Sequence, residues 1–441
     1  MSMSKSSFKP IEISPSGNSG VSAKPEPLRS PAARRRFLAG GAALAGGALA
    51  AGRASAAPLA IPDSNKQPGR GIEAAAYGQP SPFEKNVARR RSDVLVNRQN
   101  QSDWSMTPLQ SQYGIMTPNG LFFERHHAGV PDIDPDKHSL VIHGMVAKPL
   151  KFSMSDLMRY PSVSRFHFLE CSGNGLTDWL KVGSTTVQQS HGLLSCGQWT
   201  GIPLSWLLDE AGIDKSAKWL IFEGADASGH FRSIPIKKAM TDTLLVYGQN
   251  GEMLRPEQGY PLRALMPGWE GTVSVKWLRR IKVGDEPWHA RGETARYTDP
   301  MPNGKWRQFS FEMEAKSVIT RPSGGMRLAG GPGMYEIEGL AWSGNGTIKA
   351  VDVTLDGGAN WQQATLDTPV LDRCLTSFRF RWDWRGGPAK IASRAVDSTG
   401  YVQPTVQEIA KVRAITGFVQ HNNAVFPWSI GVNGEVKNAI A

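Results

Sequence analysis

The most regular alternation of apolar and polar positions lies in the last third of the chain. Residues 350–355 alternate and are followed by Asp356-Gly357-Gly358, a sequence that favours a hairpin turn. Residues 377–384 alternate strictly, with aromatic side chains on one face and polar side chains on the other, and residues 390–397 form another such segment. Short strands at this spacing over residues 335–415 predict an immunoglobulin-like β-sandwich.

A different pattern precedes it, because residues 116–290 mix strand and helix signals. The predicted elements are a strand over residues 139–146, a short helix that starts at Ser153 and Asp156 and ends before Pro161, a helix over residues 203–210 closed by Gly212, and a buried strand over residues 218–223. The fold class is therefore predicted to be α+β, with the β-sandwich following.

The length of the chain, 441 residues, exceeds what one core comfortably supports, so we expect two folded domains. The boundary is placed in the stretch containing Pro, Gly and Asn near residues 300–312. The predicted organisation is a signal peptide over residues 1–56, an irregular N-terminal arm over residues 57–115, an α+β domain over residues 116–305 and a sandwich domain over residues 312–430.

The N-terminal segment carries an export signal. Arg34-Arg35-Arg36-Phe37-Leu38 fits the twin-arginine pattern, and a Gly/Ala/Leu stretch over residues 39–52 leads to the cleavage motif Ala54-Ser55-Ala56. That stretch is too short and too rich in glycine for a membrane-spanning helix, which needs about 20 strongly apolar residues. We therefore expect export to the periplasm in the folded state; the alternative is a basic disordered tail.

The charge balance changes once this signal is removed. The chain has a formal net charge of +11, and residues 1–56 hold eight Lys/Arg and two Glu, which leaves about +5 for the remainder. No Lys/Arg cluster is interleaved with aromatic residues, so a nucleic-acid partner is not expected. The mild positive excess suits an acidic partner or an anionic substrate.

The chain has three cysteines, and Cys171 stands in the most informative context. It follows the apolar run Phe166-His167-Phe168-Leu169 and precedes a Ser-Gly-Asn-Gly turn, where small residues leave room for a bulky partner. A buried inert thiol and a metal-bound thiolate both fit this context. No CxxC or CxxCH motif occurs, so a zinc site and a covalent haem are not expected. The sequence does not decide whether Cys196 and Cys374 form a disulfide.

Taken together, a set of short motifs resembles the sulfite oxidase family of molybdopterin enzymes, and within it the SoxC-type sulfane dehydrogenases of bacterial thiosulfate oxidation. The resemblance covers roughly residues 115–430. The motifs are Phe123-Glu124-Arg125-His126-His127, the Cys171 segment, Trp199-Thr200-Gly201, Phe222-Glu223-Gly224-Ala225-Asp226, Gly259-Tyr260-Pro261-Leu262-Arg263, Pro267-Gly268, Val275-Lys276-Trp277-Leu278, Leu355-Asp356-Gly357-Gly358 and Ala395-Val396-Asp397-Ser398.

The resemblance implies a site built around a molybdenum-molybdopterin cofactor. Cys171 would be the metal ligand, since a soft thiolate suits such a metal. Cys171, Arg125 and Tyr297 are the implied catalytic residues, and a tyrosine packed in the core is the alternative for Tyr297. The implied cofactor-binding residues are Phe123, Glu124, Arg125, His126, His127, Asp226, Gln258, Arg263, Ser274, Val275 and Lys276.

Three departures from the family pattern reduce the positive charge expected at the substrate. Gly175 and Leu176 stand where the family often has an Arg-Arg pair, and Gln258 replaces a histidine that contacts the cofactor. Trp428-Ser429 replaces a His-Arg pair near the C-terminus. A small dianion such as sulfite would therefore be held less strongly than in other family members.

The resemblance implies a periplasmic sulfane dehydrogenase subunit. It would oxidise sulfane sulfur on a sulfur-carrier protein and pass electrons to a c-type cytochrome subunit, with the sandwich domain forming a homodimer within a hetero-oligomer. A direct sulfite dehydrogenase of the same fold is one alternative. A second alternative is a methionine sulfoxide reductase of the same family, but that type usually lacks the sandwich domain. A third is an exported binding protein without enzymatic activity, which metal analysis would distinguish because it would contain no molybdenum.

Overall fold

A computed structural model of the chain describes residues 77–91, 102–179, 185–289, 292–413 and 421–440, together with Ile11–Ile13 and positions 62, 65, 66 and 68. The twin-arginine motif and the cleavage motif lie outside the described residues. Among the described residues, Ile11–Ile13 and those from position 87 onward belong to one compact unit, and those between positions 62 and 86 belong to another. The described part of the second unit includes a short 3-10 helix, Pro82–Glu84, which the Ser81 side chain caps.

Strands dominate the described residues. The strands up to residue 300 are β1 Ile11–Ile13, β2 Arg90–Arg91, β3 Asp103–Met106, β4 Glu124–His126, β5 Ser139–Gly144, β6 Leu150–Ser153, β7 Val163–Glu170, β8 Leu194–Pro203, β9 Trp219–Gly224, β10 Phe231–Pro235, β11 Leu244–Gln249, β12 Glu252–Met253, β13 Arg263–Leu265, β14 Leu278–Gly284 and β15 Thr298–Pro300. The later strands are β16 Trp306–Gln308, β17 Lys316–Arg321, β18 Met326–Leu328, β19 Gly333–Trp342, β20 Ile348–Thr354, β21 Gln362–Gln363, β22 Thr365–Leu366, β23 Thr376–Trp384, β24 Ala389–Asp397, β25 Trp428–Ile430 and β26 Val436–Asn438.

The helices are few and short. The α-helices are α1 Met154–Leu157, α2 Leu176–Trp179, α3 Val187–His191, α4 Leu204–Ala211, α5 Ile236–Thr241 and α6 Val406–Val412. Further single turns are the 3-10 helices Leu109–Ser111, Asn119–Leu121, Pro256–Gln258 and Gly271–Val273, and a π-helical turn at Gly292–Arg296. Within the part of the chain that the structure describes, no helix is long and apolar enough to cross a membrane.

The local signals read from the sequence have the expected structural effect. Ser153 and Asp156 form a reciprocal capping box at the start of α1. Helix α4 ends at Gly212, whose φ of 66° lies in the left-handed region that favours glycine. Residues predicted as an irregular arm include β2 and β3, which pair with β4 in a three-stranded sheet. The domain boundaries themselves stay predictions.

Two five-stranded sheets build the α+β domain. The first has the order β10-β9-β14-β5-β6, and the second runs β12-β11-β8-β7 with β13 paired to β11. Apolar side chains from both sheets and from α4 form their shared core, for example Ile142, Phe222 and Leu208. The long antiparallel pair β7–β8 runs from Val163 opposite Gly201 to Glu170 opposite Leu194, and it carries the chain directly to Cys171.

The sandwich domain consists of a four-stranded sheet, β17-β19-β23-β22, and a five-stranded sheet, β21-β20-β24-β25-β26. Strand β23 shows the predicted alternation, with Phe378, Trp382 and Trp384 buried and Arg379 exposed. This confirms the α+β fold followed by a β-sandwich.

The core of the sandwich extends into the α+β domain. Phe168 of β7 and Leu194 of β8 belong to the same buried cluster as Trp342, Phe378 and Trp428 of the sandwich. Because both regions bury apolar surface against one another, they fold as parts of one compact unit.

Candidate functional site

One cavity, which we call the Cys171 cavity, gathers the residues predicted from the sequence. Its empty volume, including its open mouth, is about 660 Å³, within the size range of cofactor pockets. The predicted residues in its wall are Phe123, Glu124, Arg125, His126, His127, Cys171, Asp226, Gln258, Arg263, Ser274, Val275, Lys276 and Tyr297. The structure therefore brings every predicted site residue to one place.

Cys171 sits at the end of β7, on the wall of this cavity. Its backbone N–H donates to the carbonyl oxygen of Leu193 at 3.0 Å, and its own carbonyl accepts from the N–H of Asn174 at 2.8 Å, which closes the turn. A side chain at Gly271 would place Cβ only 2.8 Å from the carbonyl oxygen of Glu170, so glycine is required there. Burial raises the pKa of the Cys171 thiol.

A cluster of buried hydrogen bonds surrounds Glu170, the residue that precedes Cys171. We call it the Glu170 network, and it consists of Glu170, Asn174, Lys316 and Trp342. The Glu170 carboxylate is fully buried and accepts from Lys316 Nζ at 3.0 Å, Asn174 Nδ2 at 2.9 Å and Trp342 Nε1 at 2.7 Å. Lys316 and Trp342 belong to the sandwich domain, so this domain supports the turn that presents the thiol.

The cavity contains buried cations whose hydrogen-bond partners are uncharged. Arg263 donates from Nη1 to the carbonyl oxygen of Gln258 at 2.9 Å and from Nη2 to that of Ser274 at 3.1 Å. Its Nε is buried and finds no acceptor among the described residues. Burial lowers the pKa of Arg263 to about 9, because a buried positive charge without an anionic partner is unfavourable.

Lys276 is the second such cation. Its ammonium donates to the carbonyl oxygens of Arg125 at 3.1 Å and Glu257 at 3.0 Å, and to His126 Nδ1 at 2.7 Å. Burial, with the nearby Arg263 guanidinium, lowers the pKa of Lys276 well below its usual range. An anion entering the cavity would relieve this cost by favouring the charged form.

Two residues of strand β4, His126 and Glu124, form a chain of hydrogen bonds with Lys276. Since His126 Nδ1 accepts from Lys276, its Nε2 carries the hydrogen and donates to Glu124 Oε2 at 2.7 Å. This hydrogen bond, against the opposing effect of burial and with help from Arg89, lowers the pKa of Glu124 to about 2. Glu124 is thus ionised at neutral pH and fixes the orientation of the imidazole.

The remaining cofactor-binding predictions have mainly framework roles. Gln258 Nε2 donates to the carbonyl oxygen of Phe123 at 2.9 Å, and the Phe123 N–H donates to Ser195 Oγ at 3.0 Å. Ser274 Oγ accepts from the N–H of Met266 at 3.0 Å. The carbonyl oxygen of Val275 accepts from the N–H of Ala264 at 2.9 Å. Asp226 accepts from Ser228 and from the N–H of His230.

Neutral polar groups line the side of the cavity near Tyr297. The Tyr297 hydroxyl lies 3.4 Å from His127 Nε2, and the rings of His127 and His230 stack with centroids 5.2 Å apart. Burial and the charge of Arg125 lower the pKa of His127 to about 2, and burial lowers that of His230 to about 4. Both imidazoles are therefore neutral at neutral pH, so His127 can accept a hydrogen bond from the phenol.

The Arg232 guanidinium packs over the ring of Tyr297. It lies 4.5 Å from the centroid of the Tyr297 ring, and its Nε donates to Glu293 Oε1 at 2.9 Å. Burial, with the nearby Cys171, raises the pKa of Tyr297, so its hydroxyl keeps its proton. A stacked cation and a buried carboxylate thus hold the ring in a fixed orientation.

Sequence reasoning missed several residues of the cavity wall: Leu169, His230, Gly271, Thr272 and Trp277. His230 lies in the loop between β9 and β10, four residues beyond the predicted Asp226. No motif marks it, although its proximity to that motif was a usable signal. Trp277 belongs to one of the motifs but had no predicted role, and the centroid of its ring lies 4.4 Å from Lys276 Nζ.

Comparisons with known proteins agree with this architecture. The chain matches the oxidoreductase molybdopterin binding domain over residues 127–291 and the Mo-co oxidoreductase dimerisation domain over residues 307–427. The structure is similar to the crystal structure of the sulfane dehydrogenase SoxCD from Paracoccus pantotrophus, with a TM-score of 0.83 and 42% sequence identity. That similarity covers 86% of this chain and 97% of the other.

Curated relatives include sulfite oxidases from animals. The chain is 31% identical to the chicken sulfite oxidase (Gallus gallus) over 336 residues, covering 70% of this chain and 72% of the relative. It is 31% identical to the mitochondrial sulfite oxidase of Mus musculus over 363 residues, which are 75% of this chain and 65% of the relative. The chain thus spans slightly less than two thirds of the length of the mouse relative.

The donor set in the Cys171 cavity fits the cofactor that these families bind. Molybdopterin is an anionic, sulfur-rich group, and the cavity offers a thiol and the cations Arg125, Arg263 and Lys276. The buried Nε of Arg263 is a donor without an acceptor among the described residues, as expected where a ligand completes the site. Cys171 would ligate the metal, while Arg263 and Lys276 would hold the pterin. The chain belongs to the sulfite oxidase family of molybdopterin oxidoreductases, and its cofactor is molybdenum-molybdopterin.

Proposed function

We propose that this protein is the molybdenum subunit of a periplasmic sulfane dehydrogenase. In this proposal it oxidises sulfane sulfur on a carrier protein and passes electrons to a c-type cytochrome subunit. When bound, the cofactor supplies a two-electron couple for oxygen-atom transfer to sulfur. The chain's own residues bind the sulfur group, orient it and hold the nearby protons.

The observation that carries the substrate assignment lies just beyond Cys171. The family often has two cations at the positions of Gly175 and Leu176, and Leu176 here starts α2 and contributes no charge. The Asn422 amide donates to the carbonyl oxygen of Gly175 at 3.0 Å, and Gly175 has a φ of 86°. Neither residue lines the Cys171 cavity itself, but without the two cations next to the cysteine turn a small dianion meets less positive charge, which favours a substrate that is also bound through a carrier.

The comparison with solved structures supports the same choice. The similarity to the Paracoccus pantotrophus sulfane dehydrogenase combines 42% identity with 97% coverage of that chain, whereas the sulfite oxidases from mouse and chicken are 31% identical. Direct oxidation of free sulfite is the second candidate function, because Arg125 remains in the cavity wall and can bind an anion.

The residues near Tyr297 have defined roles in this proposal. Arg125, half-buried at the cavity wall, holds the anionic sulfur group. Tyr297 keeps its proton because burial raises its pKa. Its hydroxyl therefore donates a hydrogen bond, and the nearby His127 is neutral because its pKa is lowered. Because the pKa values of His127 and His230 are lowered, this stacked pair adds no positive charge to the cavity wall beside Arg125.

The test is steady-state kinetics of the holoenzyme with a cytochrome c acceptor, comparing sulfite with a persulfide-loaded carrier protein. We expect a higher kcat/KM for the carrier. A higher kcat/KM for sulfite would reassign the chain as a sulfite dehydrogenase. The variant Leu176→Arg should raise kcat/KM for sulfite by about 10–100-fold, the worth of one charge-assisted hydrogen bond of about 1.5–3 kcal/mol. Leu176→Met is the matched neutral control and should leave it unchanged.

The assembly part of the proposal rests on the family. The match to a dimerisation domain over residues 307–427 supports a homodimer, and the sulfane dehydrogenase resemblance supports an associated cytochrome. Purification from the periplasm should yield a complex that contains molybdenum and haem, with two copies of this chain by light scattering. A monomer without haem would contradict both expectations, and a protein without molybdenum would favour a binding protein.

Export by the twin-arginine route is proposed from Arg34 and Arg35. Replacing both by lysine should leave the precursor in the cytoplasm, as detected by cell fractionation. A chain with Arg29→Lys, which lies outside the motif, is the matched control and should be exported normally. Periplasmic accumulation of the double-lysine variant would refute this route.

A further inference from the structure

The two cysteines outside the Cys171 cavity lie against each other. Cys196, within β8, and Cys374, in the connection between β22 and β23, have their sulfur atoms 3.2 Å apart, although 178 positions separate them in the chain. Both residues are buried, and neither lines the Cys171 cavity. Their contact joins a central strand of the α+β domain to the sandwich domain.

Backbone hydrogen bonds hold the two cysteines in register. Cys196 lies opposite Phe168 in the β7–β8 pair, and the Phe168 N–H donates to the carbonyl oxygen of Arg373 at 3.2 Å. The Cys196 N–H donates to Thr117 Oγ1 at 3.1 Å, and its carbonyl accepts from the Thr117 N–H at 2.8 Å. Both main-chain segments are therefore fixed with the sulfur atoms facing each other, and an approach of about 1.2 Å would reach the bonded distance of about 2.0 Å.

The two thiols also differ in their chemistry. The hydrogen bond from Cys196 lowers the pKa of Cys374, whereas burial raises that of Cys196 well above its usual value. Cys374 is thus the better nucleophile of the pair. It follows exposed Asp372 and half-buried Arg373 in an irregular connection, so a local opening of this connection would admit a small oxidant.

We propose that Cys196 and Cys374 form a disulfide in the exported protein, as a covalent link between the α+β domain and the sandwich domain. The inference rests on export, which is part of the proposed function, and not on the choice of substrate. The oxidant is a low-molecular-weight disulfide or an equivalent thiol–disulfide exchange partner.

The reaction proceeds in two exchange steps. The Cys374 thiolate attacks one sulfur of the small disulfide, forming a mixed disulfide and releasing one small thiolate, which takes up a proton. Cys196 then loses its proton and attacks the Cys374 sulfur, releasing the second small thiol. In total, two protein thiols and one small disulfide give one protein disulfide and two small thiols.

Two consequences follow from the link. Closing so long a loop restricts the unfolded chain, so the oxidised protein should have a Tm about 3–8 °C above that of the reduced protein. The link also removes the other two thiols of the chain, which leaves Cys171 as the single thiol for the metal.

The test counts free thiols in the full-length mature protein isolated from the periplasm. The protein is unfolded without reductant, treated with N-ethylmaleimide and weighed by mass spectrometry. We expect one adduct, at Cys171, and three adducts after reduction, with a cross-linked peptide pair containing Cys196 and Cys374. Three adducts without reduction, or a cross-link that involves Cys171, would overturn the proposal.

Matched proteins separate this result from the proposed function. The same chain isolated from a reducing cytoplasm should show three adducts, and its Tm should match that of the reduced periplasmic protein. The double variant Cys196→Ala, Cys374→Ala should lose the Tm difference between oxidised and reduced samples and retain its kcat. A preference for sulfite over the carrier would overturn the substrate assignment and leave the thiol count unaffected.

Discussion

Two lysines near Cys171 occupy opposite electrostatic environments. Lys316, below the thiol, is paired with the fully buried carboxylate of Glu170 at 3.0 Å. Lys276, in the cavity wall, makes its hydrogen bonds to two carbonyl oxygens and the neutral ring of His126. A charge that the protein neutralises itself supports the fold, whereas a charge left without a partner anticipates a ligand.

The largest expected effect comes from breaking the internal pair. The substitution Lys316→Met leaves the Glu170 carboxylate buried without its cation, and such changes cost about 3–5 kcal/mol. We expect the free energy of unfolding, measured by urea denaturation of the cofactor-free protein, to fall by this amount.

The double variant Glu170→Gln, Lys316→Met serves as the control for that prediction. It removes both charges, and Asn174 and Trp342 can still hydrogen-bond to the new amide, so at least half of the lost stability should return. A double variant as unstable as the single one would mean that packing around Lys316, and not its charge, supports the fold.

The second effect concerns the unpaired cation. Lys276→Gln removes the charge and keeps an N–H donor for the carbonyl oxygens, so the stability of the cofactor-free protein should change by less than about 1 kcal/mol. Cofactor affinity should fall by about 10–100-fold, as expected for the loss of one charge-assisted hydrogen bond.

Molybdenum content by mass spectrometry and pterin content by fluorescence would measure that loss. Exposed Lys305 offers a matched control, since Lys305→Gln removes the same charge from a residue that does not line the Cys171 cavity. If both variants retain the cofactor equally, the Lys276 charge is not used for binding and the comparison with Lys316 fails.

A smaller effect should appear at low pH. The folded-state pKa of Glu124, about 2, is below its ordinary value of 4.5, mainly because His126 donates to it. Its stabilising contribution is therefore complete above pH 4.5 and is lost as the pH falls towards 2, with a size of up to about 3 kcal/mol. The difference in unfolding free energy between the wild type and Glu124→Gln should shrink across that interval; a constant difference would contradict the ionised pair.

Much of the site could be predicted because its functional residues lie in short sequence motifs. Cys171, Arg263 and Lys276 stand beside glycines, prolines and apolar residues in motifs that resemble those of the sulfite oxidase family, and the structure places them in one cavity. The sandwich was predictable for a different reason, since alternation along β23 directly reports which face is buried.

The support of the site could not be predicted in the same way. Glu170 and Lys316 are 146 positions apart, and a lone lysine at the start of a strand gives no indication of its partner. His230 reaches the cavity through a loop, and its role depends on a ring contact with His127 that only the tertiary structure creates. Long-range pairing of this kind depends on packing, which leaves no local pattern.

The core shared between the two domains limits how this chain can be recombined with its relatives. Phe168 and Leu194 are buried against the sandwich, and Glu170 depends on Lys316 for its cation. A chimera that takes its N-terminal half from this chain and its C-terminal half from a sulfite oxidase must therefore match these contacts as a set. We therefore expect a substitution at one of these contacts in either half to need a matching substitution in the other half before the stability of the wild type returns.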